Sequence, residues 1–239
     1  MPATTFIHLR LHSEYSITDG IVRLDDAIRQ AVADNMPALA LTDMANLFGA
    51  VKFYSGARAA GLKPIIGCDA WIAETETGRG IGQRLLLLVK NRAGYLRLCE
   101  LLSAAHLGVR HQERAEISRA ALSNGDNSGL IALSAAHLGD IGQLLLAGKP
   151  EQAEASARHW ATLFPDSFYI EVQRYDQPQA EALVASSVAL AGRTGLPLVA
   201  THPIQFMTPE DYKAHEARVC IAEGYVLADK RRPQNFTEQ

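Results

Sequence analysis

His8, Arg10 and His12 alternate near the start of the chain. In an extended backbone, residues at i, i+2 and i+4 share one face, so these three side chains are expected together. An imidazole can ligate a metal or carry a proton at neutral pH, whereas a guanidinium stays protonated and only donates. Two histidines four residues apart on a strand lie too far apart to chelate one ion unaided; a curved strand end or a second metal would relax that. Acids follow: Asp19 before Gly20, Asp43 after the apolar run 38–41, and Asp69 near the end of another. His202 follows the run 198–200. Gathered in one place, such nitrogen and oxygen donors would suit a divalent metal. Asp43 has a plainer reading as a turn residue before the next helix. His106, His111, His137, His159 and His215 read as ordinary surface or core residues.

The elements that must position these groups alternate along the chain. Apolar runs predict strands over 5–11, 38–41, 64–72, 85–89, 130–133, 168–172 and 198–200. Amphipathic stretches predict helices over 24–34, 48–60, 93–105, 139–146, 151–163, 178–193 and 209–223. Such alternation implies a mostly parallel sheet covered by helices, and in a parallel α/β barrel the carboxyl ends of the strands carry the site. One device recurs between helix and strand: Asn35-Met36-Pro37, Gly61-Leu62-Lys63-Pro64 and Gly195-Leu196-Pro197. Glycine or asparagine accepts the left-handed position after a helix, and the proline forbids its continuation. Thr208-Pro209-Glu210-Asp211 is a strong helix start. The stretch 74–84 reads as a loop or hairpin, and 109–128 as a polar excursion with a short helix at 118–121.

Composition narrows the class. With 239 residues, 48% of them hydrophobic and 21% charged, the chain reads as a soluble globular protein. A net charge of −3 lacks the basic footprint of a stand-alone nucleic-acid binder, and the basic run Lys230-Arg231-Arg232 reads as a solvated turn. Three cysteines without CxxC spacing fit a reducing cytoplasm. No signal peptide or membrane span is evident, and the tail 224–239 has no clear core pattern, which suggests a piece of a longer chain.

The same residues carry a family resemblance. His8-Leu9-Arg10-Leu11-His12-Ser13-Glu14-Tyr15-Ser16, with Asp19-Gly20, resembles the first motif of the PHP (polymerase and histidinol phosphatase) superfamily. Residues 38–43 and 46–54 are similar to its second motif as found in the alpha-subunit family of bacterial replicative polymerases, and 63–67 followed by an acid to its third. Asn91-Arg92-Ala93-Gly94-Tyr95 and 197–201 match in place and order. The resemblance runs from Phe6 to Phe236 and implies a distorted (β/α) TIM-like barrel of about seven strands over 1–206, with a helix and tail at 207–239 leading toward a polymerase core. It also implies a metal cluster, zinc or manganese, at the barrel mouth of active members.

This sequence departs from that pattern. Arg10 stands where the motif has a histidine, Met44 replaces the histidine after Thr42-Asp43, and Asp69 replaces a glutamate. Arg84 and Ala136 stand at further ligand positions, and Pro203 and Gln205 where an acid and a histidine are expected. Thioether, methyl and guanidinium groups are poor or impossible ligands for hard metals. The vestigial site then comprises His8, Arg10, His12, Asp19, Asp43, Met44, Asp69, Arg84, His202 and Gln205, with no active catalytic residue and no cofactor expected. Arg10 and Arg84 are expected to pair with Asp19, Asp43 or Asp69 and so replace the charge of lost cations.

The implied function is a non-catalytic scaffold within a DNA-directed DNA polymerase. Its partners would be the rest of the polymerase chain, the proofreading exonuclease (epsilon) subunit and, through the magnesium-dependent polymerase core, DNA. A residual metal-dependent phosphoesterase, 3′–5′ exonuclease or pyrophosphatase using His8, His12, Asp19, Asp43 and Asp69 is the alternative; a stand-alone phosphatase is a third.

Overall fold

A computed structural model describes residues 6–73, 82–108, 114–174, 179–229 and 231. Most of the loop expected over 74–84, and Lys230 and Arg232 of the basic run, lie outside them. The chain divides into two compact units, one built from residues 1–66 and 202–239, the other from 67–201.

In the first unit, α1 (Leu24–Ala33), β1 (Ala38–Leu41), α2 (Ala50–Ala59) and the opening of β2 (Lys63–Ile72) follow one another. β1 lies parallel to that opening, Ala38 opposite Lys63 through Leu41 opposite Ile66. All four β1 residues are buried, as expected of a strand covered on both faces. α1 buries Leu24, Ala27, Ile28 and Ala31, a single stripe at helical spacing. That stripe packs with Leu11, Val22, Leu39, Leu41, Phe53, Ala57 and Leu62 in one core. The unit closes with α8 (Tyr212–Glu223), preceded by a 3-10 turn that Thr208 and Asp211 join in a capping box. α8 thus belongs to the same compact unit as the opening residues.

Among its described residues the expected first strand does not form a regular element. Leu11 makes an isolated bridge with Ile204, and Ser13 another with Val22, while backbone bonds tie His8 to Ala40 and His12 to Ile204. Part of its hydrogen bonding goes to a side chain: Leu11 N–H donates to Thr42 Oγ1 at 2.9 Å, and that hydroxyl donates back to the Leu11 carbonyl at 3.2 Å. A hydroxyl thus takes the Leu11 N–H that a ladder would otherwise use, while the Leu11 carbonyl also accepts the Thr42 N–H at 2.9 Å.

In the second unit, the remainder of β2 runs antiparallel to β3 (Gln83–Val89), which runs antiparallel to β5 (Leu130–Leu133). β4 (Glu116–Ile117) joins β2, while β6 (Phe168–Val172) and β7 (Leu198–Ala200) add on beyond β5, all parallel. Helices α3 (Arg92–Leu107), α4 (Arg119–Ser123), α5 (Asp140–Leu146), α6 (Pro150–Leu163) and α7 (Ala180–Thr194) connect them. The Asn91-Arg92-Ala93-Gly94 motif has a local reason. Asn91 caps the Gly94 N–H at 3.0 Å. A Cβ on Gly94 would stand 1.8 Å from the Gly129 carbonyl oxygen, so only glycine lets the helix start against that loop. The recurring helix exits also hold: Asn35, Gly61 and Gly195 have φ of 56°, 76° and 72°.

Candidate functional site

In the first unit, Asp19 is the hub. Its Oδ2 accepts from His12 Nδ1 at 2.9 Å and from Gln205 Nε2 at 3.1 Å, and its Oδ1 from Ser16 Oγ at 2.7 Å. Ser16 Oγ in turn accepts the Met44 N–H at 3.0 Å. Met44 therefore takes part through its backbone. Asp43 spends both oxygens on one residue, accepting the Ser13 N–H at 2.6 Å and the Ser13 hydroxyl at 3.0 Å. Gly20 has to be glycine, since a Cβ there would lie 2.1 Å from the Ser13 carbonyl oxygen. His12, Asp19, Asp43 and Arg10 are all buried, and a buried guanidinium is tolerable only with counter-charge.

His215, read from the sequence as ordinary, belongs to this cluster. Its Nε2–H donates to the Asp19 carbonyl at 2.9 Å from the first turn of α8. The sequence offered no local signal for it, because the contact spans 196 positions.

Burial also sets the titration of this unit. It pushes Asp43 above the usual carboxylate range, against the opposing bonds from Ser13. It pushes His215 below the ordinary imidazole value, and likewise His202 and His8; for His8 the nearby His202 adds to the effect. A histidine whose folded pKa is depressed binds fewer protons folded than unfolded, so its destabilisation sets in as pH falls below about 6.5 and is complete at the folded pKa. Asp43 has the opposite sign: its contribution is fully present below about 3.8 and is lost as pH rises through its raised folded value. We expect the urea midpoint to fall between pH 7 and pH 5, and His215→Gln to flatten that dependence. An unchanged slope in His215→Gln would remove His215 from the account.

The second unit holds two further clusters. Arg84 lies opposite Trp71 in the β2–β3 register, which places it diagonal to Asp69 on the same face. Its Nε donates to Asp69 Oδ1 at 3.1 Å and its Nη2 to Asp69 Oδ2, a two-pronged pair with Asp69 wholly buried. The guanidinium also lies 5.2 Å from the Trp71 ring centre. This is one of the arginine–carboxylate pairs expected from the sequence. Sequence reasoning missed the second cluster. Glu171, buried within β6, accepts from the Thr201 hydroxyl and from Gln173 Nε2 at 3.0 Å, while its N–H donates to Ser134 Oγ at 2.9 Å. An acid inside an apolar strand was the available signal. A surface cleft of about 500 Å³, lined by Gln83, Arg119, Asp140, Ser156 and His159, was also unforeseen.

Among the described residues, no three or more His, Cys, Asp or Glu side chains are grouped to hold an ion. In the first unit Asp19 and Asp43 are engaged by hydrogen-bond donors, and in the second a guanidinium occupies Asp69. Ala136, at an expected ligand position, is buried with φ 46° and offers no donor atom.

Residues 8–175 match the family described as PHP domain. The chain is 51% identical over 239 residues to DNA polymerase III subunit alpha of Neisseria meningitidis serogroup A, covering 99% of this chain and 21% of that protein. It is 45% identical to that of Pseudomonas fluorescens and 36% identical to that of Escherichia coli K12, covering all of this chain and 20% of each relative. The chain thus spans about a fifth of the length of the curated relatives it matches. Among solved structures it resembles an amidohydrolase from Chromobacterium violaceum with bound sulfate and no metal, at TM-score 0.55 and 16% identity, covering 89% of this chain and 96% of that one. It also resembles a putative metal-dependent phosphoesterase from Bifidobacterium adolescentis, at TM-score 0.52 and 14% identity, covering 86% and 90%. These likenesses show the α/β fold expected from the sequence. Among the described residues, no helix is long and apolar enough to cross a membrane.

Proposed function

The chain belongs to the PHP domain family, and on that premise we propose that it is a scaffold region of a replicative DNA polymerase chain that performs no hydrolysis of its own. Support for the polymerase setting comes from relatives aligned over the whole chain. The observation that carries the non-catalytic reading is the Arg84–Asp69 pair: a fixed positive charge sits on the acid that the resemblance assigns to a metal. The scaffold supports the polymerase core, docks the proofreading exonuclease subunit, and meets DNA only through that core.

Metal content of the purified, untagged chain, dialysed without chelator, tests the reading. Zinc, manganese and iron are expected well below one equivalent; a stoichiometric metal would favour the residual phosphoesterase instead. Titration of the full polymerase chain with the exonuclease subunit tests the docking role, and failure to form a complex would end it.

A further inference from the structure

The cleft of about 500 Å³ in the second unit is built on a buried acid. Asp140 opens α5, and its carboxylate is filled from within the protein. It accepts the Ile141 N–H at 2.9 Å, Arg119 Nη2 at 3.1 Å, the Ser156 hydroxyl at 2.6 Å, and the Trp160 indole N–H at 3.1 and 3.0 Å to its two oxygens. Its lone pairs are spent on these donors. Arg119 is fixed in turn. Its Nη2 makes a second bond to Gln83 Oε1 at 2.6 Å, and its guanidinium lies 4.9 Å from the centre of the buried Trp160 ring.

What remains for a ligand is mostly hydrogen-bond donors. Both hydrogens of Arg119 Nη2 are taken, so Nε–H and the two N–H groups of Nη1 stay without a partner among the described residues. Gln83 accepts through its oxygen, which leaves its amide nitrogen to donate. His159 is exposed one helical turn beyond Ser156, and its ring adds an N–H in either tautomer. The acceptors left over are neutral: the Gln143 side-chain carbonyl, whose Nε2 is bonded to Leu138, and the oxygen of Ser156. Such a surplus of donors, with a guanidinium among them, selects an anionic, acceptor-rich ligand. It does not suit a planar carboxylate. Both two-nitrogen edges of a guanidinium include Nη2, whose hydrogens are spent here. Single N–H groups diverging from Nε and Nη1 suit the several oxygens of a phosphate.

We propose that this cleft binds a small phosphorylated molecule, with its phosphate on Arg119 and His159 and its less polar body on Leu144 and Ala147 of the α5 wall. The volume falls within the range of about 300–1,000 Å³ usual for small-molecule sites, which accommodates a nucleoside monophosphate. Asp140 and Trp160 act as positioning residues. They fix the guanidinium before the ligand arrives, so binding has little side-chain order left to impose. Arg119 and Asp140 offset each other in charge, so the selectivity lies in aimed donors rather than in a broad positive field.

Amide hydrogen exchange read by mass spectrometry on the full polymerase chain localises the test to residues 119–123 and 140–159, and it requires no synthesis. The probes are adenosine 5′-monophosphate, adenosine, and a single-stranded oligonucleotide. The monophosphate is expected to slow exchange in those two segments several-fold and saturably, and adenosine to leave it unchanged. Arg119→Met is expected to abolish the effect. That substitution also takes a partner from Asp140, so His159→Asp provides a second arm at an exposed position outside the bonds around Asp140. It is expected to weaken the monophosphate about tenfold, the loss of one charge-assisted hydrogen bond. The assignment is overturned by no protection from the monophosphate, by equal protection from adenosine, or by protection undiminished in His159→Asp. Protection by the oligonucleotide alone would also overturn it, since the cleft would then be a nucleic-acid contact.

Discussion

Replacing Arg84 by methionine, with Asp69 left in place, is expected to lower stability by about 3–5 kcal/mol, because it takes a two-pronged charged partner away from a buried carboxylate. Asp69 is wholly buried, and it receives two of the guanidinium's donors. Methionine fills a similar volume, so the loss reports the charge rather than a cavity. Arg84→Lys should fall between, since an ammonium keeps the charge but cannot form the fork. The double variant Arg84→Met/Asp69→Leu should recover part of the loss, because it removes the buried carboxylate along with that guanidinium. Urea denaturation of the four chains measures this. If Arg84→Met matched the wild type within about 0.5 kcal/mol, the pair could not be what keeps Asp69 buried.

That pair also shows where sequence reasoning reaches and where it stops. The residue types at 69 and 84 were enough to expect an arginine–carboxylate pair, but not to say which arginine meets which acid. The choice depends on the antiparallel register of β2 and β3, which places Trp71 opposite Arg84 and so brings Asp69 to its diagonal. Register is a tertiary result, fixed by the pairing of two separate strands. Local chemistry was more legible. The left-handed exits at Asn35, Gly61 and Gly195 follow from backbone sterics alone, and the cap at Thr208 from the hydrogen-bonding needs of a helix start. The first strand failed for the converse reason: an apolar-polar alternation was present, but the Thr42 hydroxyl takes the Leu11 N–H out of the ladder. His215 was illegible because its partner is a backbone carbonyl far away in sequence.

Asp19→Ala is the second large effect expected, about 3 kcal/mol of lost stability, since three donors lose their acceptor at once and each buried orphan costs about 1–3 kcal/mol without strict additivity. The donors are His12, Ser16 and Gln205, all buried. Asparagine at the same position separates shape from charge. Its carbonyl can accept from His12 and Gln205, while its amide faces Ser16 Oγ, which retains a lone pair beside the Met44 N–H. Asp19→Asn should therefore lose about 1 kcal/mol. Amide hydrogen exchange gives a second readout. Because Asp19 anchors the turn in which β-branched Ile17 is strained at φ 66°, amides 13–19 should exchange faster in Asp19→Ala by more than the global loss explains, whereas those of α1 should follow the global loss. Equal exchange in both segments would mean that Asp19 supports the unit as a whole and does not specifically hold the strained loop. An Asp19→Asn chain as unstable as Asp19→Ala would shift the weight from hydrogen bonding to the carboxylate charge itself.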